Sequence, residues 1–212
     1  MKKNQLERRS YDFEVRADTD ERGSVITGRP IVYNNRTDIG GWYDEIIEGG
    51  ALDSTDLRDV RFLVNHDTRR IPLARSRRNN GNSTMQLIVD ERGLSITVWL
   101  DTENNAEARA LYSAVQRGDI SGMSFMFEVR DEEWDELDSE HPTRRIKAIA
   151  SVIEVSAVTF PAYDSTEIYA RSKEALESAR SALESARRQR ANPLESRLLE
   201  LLKEKTKILG GL

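Results

Sequence analysis

The chain has 212 residues, no cysteine and two histidines, His66 and His141. Thiol nucleophiles, disulfides and cysteine-based zinc sites are excluded, and two histidines argue against a multi-histidine metal centre, so no cofactor or metal is expected. The net charge of -5 lacks the basic excess that phosphate contacts need, so no nucleic acid partner is expected, and no apolar run approaches the ~20 residues of a membrane span. A soluble, intracellular protein is the simple expectation. Charged residues make up 33% of the chain, which is polar for a fully globular protein and points to an exposed helix or tail.

In chain order, residues 1–8 are polar and read as loose. The alternation in Tyr11-Asp12-Phe13-Glu14-Val15 predicts a half-buried strand, and Asp20 to Gly23 a turn. Val25 to Tyr33 predicts a second strand, with Pro30 marking an edge or a bulge. Asn34 to Gly41 reads as a polar loop, followed by a mixed apolar stretch, Trp42 to Ile47. Gly49-Gly50 breaks the chain, and Asp53-Ser54-Thr55 is suited to cap a short helical turn. Val60 to Val64 is a short strand that delivers Asn65-His66-Asp67. Met85–Val89 and Leu94–Leu100 predict a hairpin that turns at Asp90-Glu91-Arg92-Gly93.

Asn105 to Gln116 predicts a helix with Ala106, Ala110, Leu111, Ala114 and Val115 on one face, stopped at Gly118. Ile120 to Val129 predicts a strand with Met123, Phe125 and Phe127 on one side and Ser124 on the other. Asp131 to Glu140 carries seven acidic residues in ten and reads as a solvated hairpin loop. Lys147 to Phe160 is a long β-type segment ended by Pro161. Beyond about residue 165, Ala175 to Ser181 recurs almost unchanged as Ala182 to Arg188, a heptad with a Leu/Ala seam. A second amphipathic helix is expected from Leu194 to about Leu209. The organisation is a strand-rich domain over 1–168 and a helical tail over 169–212 that docks on a partner or on itself.

The residues permit hydrolytic chemistry. A serine nucleophile needs a base, and histidine ordinarily titrates near neutrality. His66 follows a hydrophobic strand, whereas His141 lies beside the acidic segment and Pro142 with nothing apolar to hold it. Ser124 alternates with apolar residues. Glu154 sits inside the apolar run Val152-Ile153-Glu154-Val155, where a carboxylate is costly unless paired. Each of these also has an ordinary structural reading: a histidine at a strand end, a small strand residue, a buried ion pair.

Four stretches together resemble the prohead (capsid-maturation) serine protease family of tailed phages, the type that works with HK97-like capsids. They are Gly28 to Tyr33 with Asp44 to Leu52, Val64-Asn65-His66-Asp67, Ile120 to Phe127, and Glu154 to Tyr163. The resemblance covers roughly residues 8–170. Ile71 to Arg75 departs from a Leu-Gly-Arg run common in the family, and Met126 stands where glycine is common.

The resemblance implies an α+β fold similar to the herpesvirus assembly proteases, a mainly antiparallel β-barrel with flanking helices. It implies a serine endopeptidase that cleaves the scaffold, other internal capsid proteins and itself, with the capsid scaffold and the major capsid protein as partners, in the host cytoplasm inside the assembling prohead. Ser124 would then be the nucleophile, His66 its base, and Glu154 the group that orients His66, with Asp67 the rival third member and Ser121 the rival nucleophile. Two other readings stay open: a non-catalytic capsid assembly factor that keeps the protease fold, and an unrelated β-rich binding module.

Overall fold

The structure, a computed structural model, describes residues 6–11, 15–159 and 173–191. Eleven strands and two helices are formed among them. The strands are β1 (Leu6–Tyr11), β2 (Val15–Asp20), β3 (Gly23–Val32), β4 (Arg36–Asp38), β5 (Asp44–Ile47), β6 (Asp59–Val64), β7 (Ala74–Arg77), β8 (Met85–Asp90), β9 (Gly93–Leu100), β10 (Gly122–Asp135) and β11 (Thr143–Val158). The helices are α1 (Ala106–Gln116) and α2 (Lys173–Ala191).

They build a mixed α+β fold, mostly strands. One sheet runs β1-β10-β11-β5-β4, with β6 also paired to β11 and β7 paired to β6; the other runs β2-β3-β9-β8. Among the described residues no ladder joins the two sheets, so the closed barrel expected from the resemblance is not formed by their hydrogen bonds. Instead the sheets share one apolar core. Ile26, Ile31, Leu94 and Ile96 come from the smaller sheet, Phe62, Phe125, Phe127 and Val155 from the larger, and Leu111 and Val115 from α1.

Local chemistry explains most elements. The β8–β9 hairpin turns at Asp90 to Gly93, where Gly93 has φ +129° and a Cβ would lie 2.1 Å from the Ile31 carbonyl oxygen. Only glycine fits that approach. The Pro30 signal resolves as a bulge, because the β3–β9 register shifts between Gly28 and Ile31. Asn105 caps α1 by accepting from the Glu107 and Ala108 amides. The buried stripe of α1 is Ala108, Leu111 and Val115; Ala106 and Ala110 are exposed, contrary to the face expected from the sequence.

Several expectations need correction. Residues 6–8 are not loose but open β1, which pairs with β10. The polar stretch 34–41 contains β4, an edge strand paired to β5. No helix forms at Asp53 to Thr55. The segment around it runs along β11 instead: Ala51 O accepts from Ile149 N at 2.8 Å, and Asp56 N donates to Ala150 O at 2.9 Å. Those bonds occupy backbone groups that a helical turn would need.

The acidic run is strand as far as Asp135. Its charges face basic residues of β11 in the pairs Glu132–Arg144, Glu133–Lys147 and Asp135–Arg145, while Glu136, Asp138 and Glu140 beyond the strand are exposed as expected, so cross-strand pairing adds to solvation. The tail helix α2 docks on its own domain. Ala179 and Leu183 pack with Ile39, Tyr43 and Leu137, and Arg187 donates to the carbonyls of Leu137 and Ser139. The expected second tail helix lies outside the described residues.

A buried charge cluster fastens β1. Arg9 donates to Glu45 at 2.5 Å and to Glu7 at 2.7 Å, and Arg144 donates to Glu7 at 2.6 Å and to Glu45 at 3.0 Å. All four residues are at most 5% exposed. Burial by itself would raise the Glu7 carboxyl pKa, but the attraction and hydrogen bonds of Arg144 and Arg9 outweigh it and hold the group at about 2.

Candidate active site

The site is organised by β11, whose two edges carry different partners. Along one edge β10 runs antiparallel, with Ser124 directly opposite Ser156 and Met126 opposite Glu154. Along the other, β6 runs parallel, with Arg61 beside Glu154 and Leu63 beside Ser156. Opposite residues of an antiparallel pair share a face with Cβ atoms ~5 Å apart. Ser124 and Ser156 are therefore neighbours, on the sheet face opposite the core residues Met123, Phe125 and Phe127.

Glu154, two residues before Ser156, shares that face by alternation, and a bulge separates it from Val152. The β10–β11 register passes from Met126↔Glu154 to Phe127↔Val152, leaving Ile153 without a partner on β10. Val152, Val155 and Ala157 can then all point into the core. Unbroken alternation would put Val152 on the face of Glu154 and Ser156; the extra residue turns Val152 to the core.

His66 arrives from the end of β6. Asn65 and His66 have φ of +50° and +58°, two successive residues in the left-handed region. Such geometry costs about 1–2 kcal/mol per non-glycine residue and persists only where surrounding bonds fix it. Here the Asn65 amide donates to Ala157 O at 3.0 Å, and its side chain exchanges two hydrogen bonds with Thr159. The His66 amide donates to Ser156 Oγ at 3.1 Å.

The turn lays the imidazole over β11. His66 Nδ1 lies 2.5 Å from Glu154 Oε1, and Ser156 Oγ donates to Glu154 Oε2 at 2.5 Å. The Glu154 side chain is 1% exposed and that of His66 14%. A carboxylate so buried is tolerable because both oxygens are engaged.

Asp67 does not meet His66 in this arrangement. Its carboxylate accepts from the Arg69 amide and pairs with Arg69 and Arg70, which hold its pKa below the usual carboxylate range. Ser124 is fully buried, and its hydroxyl donates to the Arg9 carbonyl of β1 at 2.7 Å. Ser121 is exposed, just before β10 begins. His141 lies apart, at the β4–β5 edge. Its hydrogen bond to Asp44 and its nearness to Asp38 raise its pKa.

A cavity of about 430 Å³ opens beside the His66 turn. Asn65 and Asp67 line it together with Leu63, Leu73, Leu111, Ala114 and Ile120, while Arg70 and Glu107 pair at its edge. An apolar floor with a charged rim suits a peptide side chain better than a free ion.

The profile of the caudovirus prohead serine proteases matches residues 11–180. The chain belongs to that family. Among curated relatives of this prohead protease family member, the prohead protease of Enterobacteria phage HK97 is 31% identical over 166 residues. The match covers 76% of this chain and 66% of the relative, so the chain spans just under two thirds of that protein's length. Among solved structures, the bacteriophage T4 capsid assembly protease aligns with 74% of this family member and 98% of that chain, at 10% identity and a TM-score of 0.46.

Sequence reasoning missed Ser156 as a site residue. The available signal was its i, i+2 spacing from Glu154 in a strand, which puts two polar side chains on one face of an otherwise apolar segment.

Proposed function

We propose that this chain is a serine endopeptidase that cleaves the capsid scaffold, other internal capsid proteins and itself inside the assembling prohead, in the host cytoplasm, with the scaffold and the major capsid protein as its partners. In this reading Ser124 attacks the scissile carbonyl. His66 takes its proton and passes it to the leaving amine. Glu154 fixes the imidazole through Nδ1 and balances the imidazolium that forms. The supporting observation is the buried His66–Glu154 pair at 2.5 Å, held one strand from Ser124 in a chain matched to the prohead serine proteases over 11–180.

The protease domain is placed at 1–168 and the helical tail at 169–212. The herpesvirus-protease-like barrel belongs to the same proposal; two sheets enclosing one core are compatible with it.

One contact favours a second reading. With its hydroxyl buried against the Arg9 carbonyl, Ser124 cannot attack until that bond opens. A non-catalytic assembly factor would keep it closed.

Co-expression of the chain with its phage's scaffold and major capsid protein separates the two, with new termini mapped by mass spectrometry. The protease reading expects defined cleavages that Ser124→Ala and His66→Ala abolish and Ser121→Ala retains. Intact substrates with the unaltered chain would support the assembly factor. Processing by Ser124→Ala would remove Ser124 as nucleophile.

A further inference from the structure

We infer that Ser156 is the positioning residue of this site: one hydroxyl that fixes both the Glu154 carboxylate and the backbone that presents His66. This rests on the reading of His66 and Glu154 as catalytic partners. It goes beyond that reading by giving a role to a second buried serine.

Ser156 closes a ring of hydrogen bonds. The His66 amide donates to its Oγ at 3.1 Å, its own proton goes to Glu154 Oε2 at 2.5 Å, and Glu154 Oε1 meets the His66 ring at 2.5 Å. A hydroxyl has one proton and two lone pairs. The proton is committed to Glu154, and a lone pair receives the His66 amide. Ser156 thus meets His66 through the backbone and not through the ring, which is the geometry of a support and not of a nucleophile–base pair.

Burial makes the support consequential. Ser156 is fully buried and Glu154 is 1% exposed, so water cannot replace a lost hydroxyl at no cost. Without it, Glu154 Oε2 loses its donor and the carboxylate can rotate about its terminal torsion. The His66 amide, in a left-handed conformation that needs an anchor, loses its acceptor. Both losses misplace the imidazole while leaving the core face of β11 untouched.

The test uses the full chain labelled with 15N-histidine. Only His66 and His141 give imidazole signals, and His141 sits at the β4–β5 edge as an internal reference. Ser156→Ala should change the His66 Nδ1–H resonance and tautomer pattern, leave His141 unchanged, and slow scaffold cleavage by roughly tenfold to a hundredfold. Ser156→Thr keeps the hydroxyl and should restore the resonance and at least part of the rate, which separates positioning from a folding defect.

An unchanged His66 signal together with an unchanged rate in Ser156→Ala would overturn the inference. So would a slowed rate that Ser156→Thr, correctly folded, does not recover. The imidazole readout does not depend on cleavage. If Ser124→Ala still cleaved scaffold, the nucleophile assignment would fail while the Ser156 result stood by itself.

Discussion

Replacing Arg144 with methionine removes one of two buried cations from a cluster that also holds Glu7, Glu45 and Glu132. In the intact protein the Glu7 carboxyl is lowered from 4.5 to about 2. At 1.36 kcal/mol per pKa unit this corresponds to about 3 kcal/mol of stability. The folded pKa is depressed, so this contribution is complete above the unfolded carboxyl pKa and is lost as pH falls toward about 2. Arg144→Met leaves Glu7 and Glu45 to Arg9 alone and takes the Arg144 pair from Glu132. Breaking a buried pair from one side costs about 3–5 kcal/mol. A chain of this size loses ~2–4 °C in Tm per kcal/mol, so Tm at pH 7 should fall by roughly 10 °C. The deficit should shrink near pH 4, because protonating an unpaired carboxylate removes the buried charge. Urea unfolding of both proteins from pH 7 to pH 4 measures it. An equal midpoint at pH 7, or a deficit that does not change with pH, would refute the reasoning.

Three further outcomes are expected. Glu154→Gln keeps the shape of the side chain but removes the charge beside His66, and scaffold cleavage should slow by ~100- to 10,000-fold; Asp67→Asn, whose carboxylate binds Arg69 and Arg70, should stay within about twofold. Near-normal turnover in Glu154→Gln would remove it from the triad. Ala114→Trp fills the cavity beside the His66 turn and should raise KM about tenfold with kcat retained, measured on a scaffold-derived peptide; an unchanged KM would remove the cavity from substrate binding. Gly93→Ala places a methyl 2.1 Å from the Ile31 carbonyl oxygen at a φ of +129°, and thermal melting should show a loss of ~3 kcal/mol or more.

Local patterns carried the parts of the fold that depend on neighbours in sequence. The Asp90 to Gly93 turn, the helix that opens at Asn105 and the alternation of Met123, Phe125 and Phe127 all follow from spacing within a few residues, and each appears in the structure. The same scale of pattern exposed Glu154 as a carboxylate in an apolar strand. What surrounds these elements was not local. Glu7 lies in the polar terminus that reads as loose, yet it is paired with Arg144 at a separation of 137 residues. Only the stacking of β1, β10, β11 and β5 brings such charges together.

The bulge at Ile153 is the sharpest example of that division. By alternation alone, Val152, Glu154 and Ser156 share a face, and β11 offers no local reason to break the pattern. The mismatch with β10 breaks it, sending Val152 to the core while Glu154 and Ser156 keep the face that His66 meets. The sequence by itself determined which residues could carry the chemistry, because side-chain type and short-range periodicity are local properties. The tertiary structure decided which of them meet, because strand register is set by pairing between segments far apart in the chain.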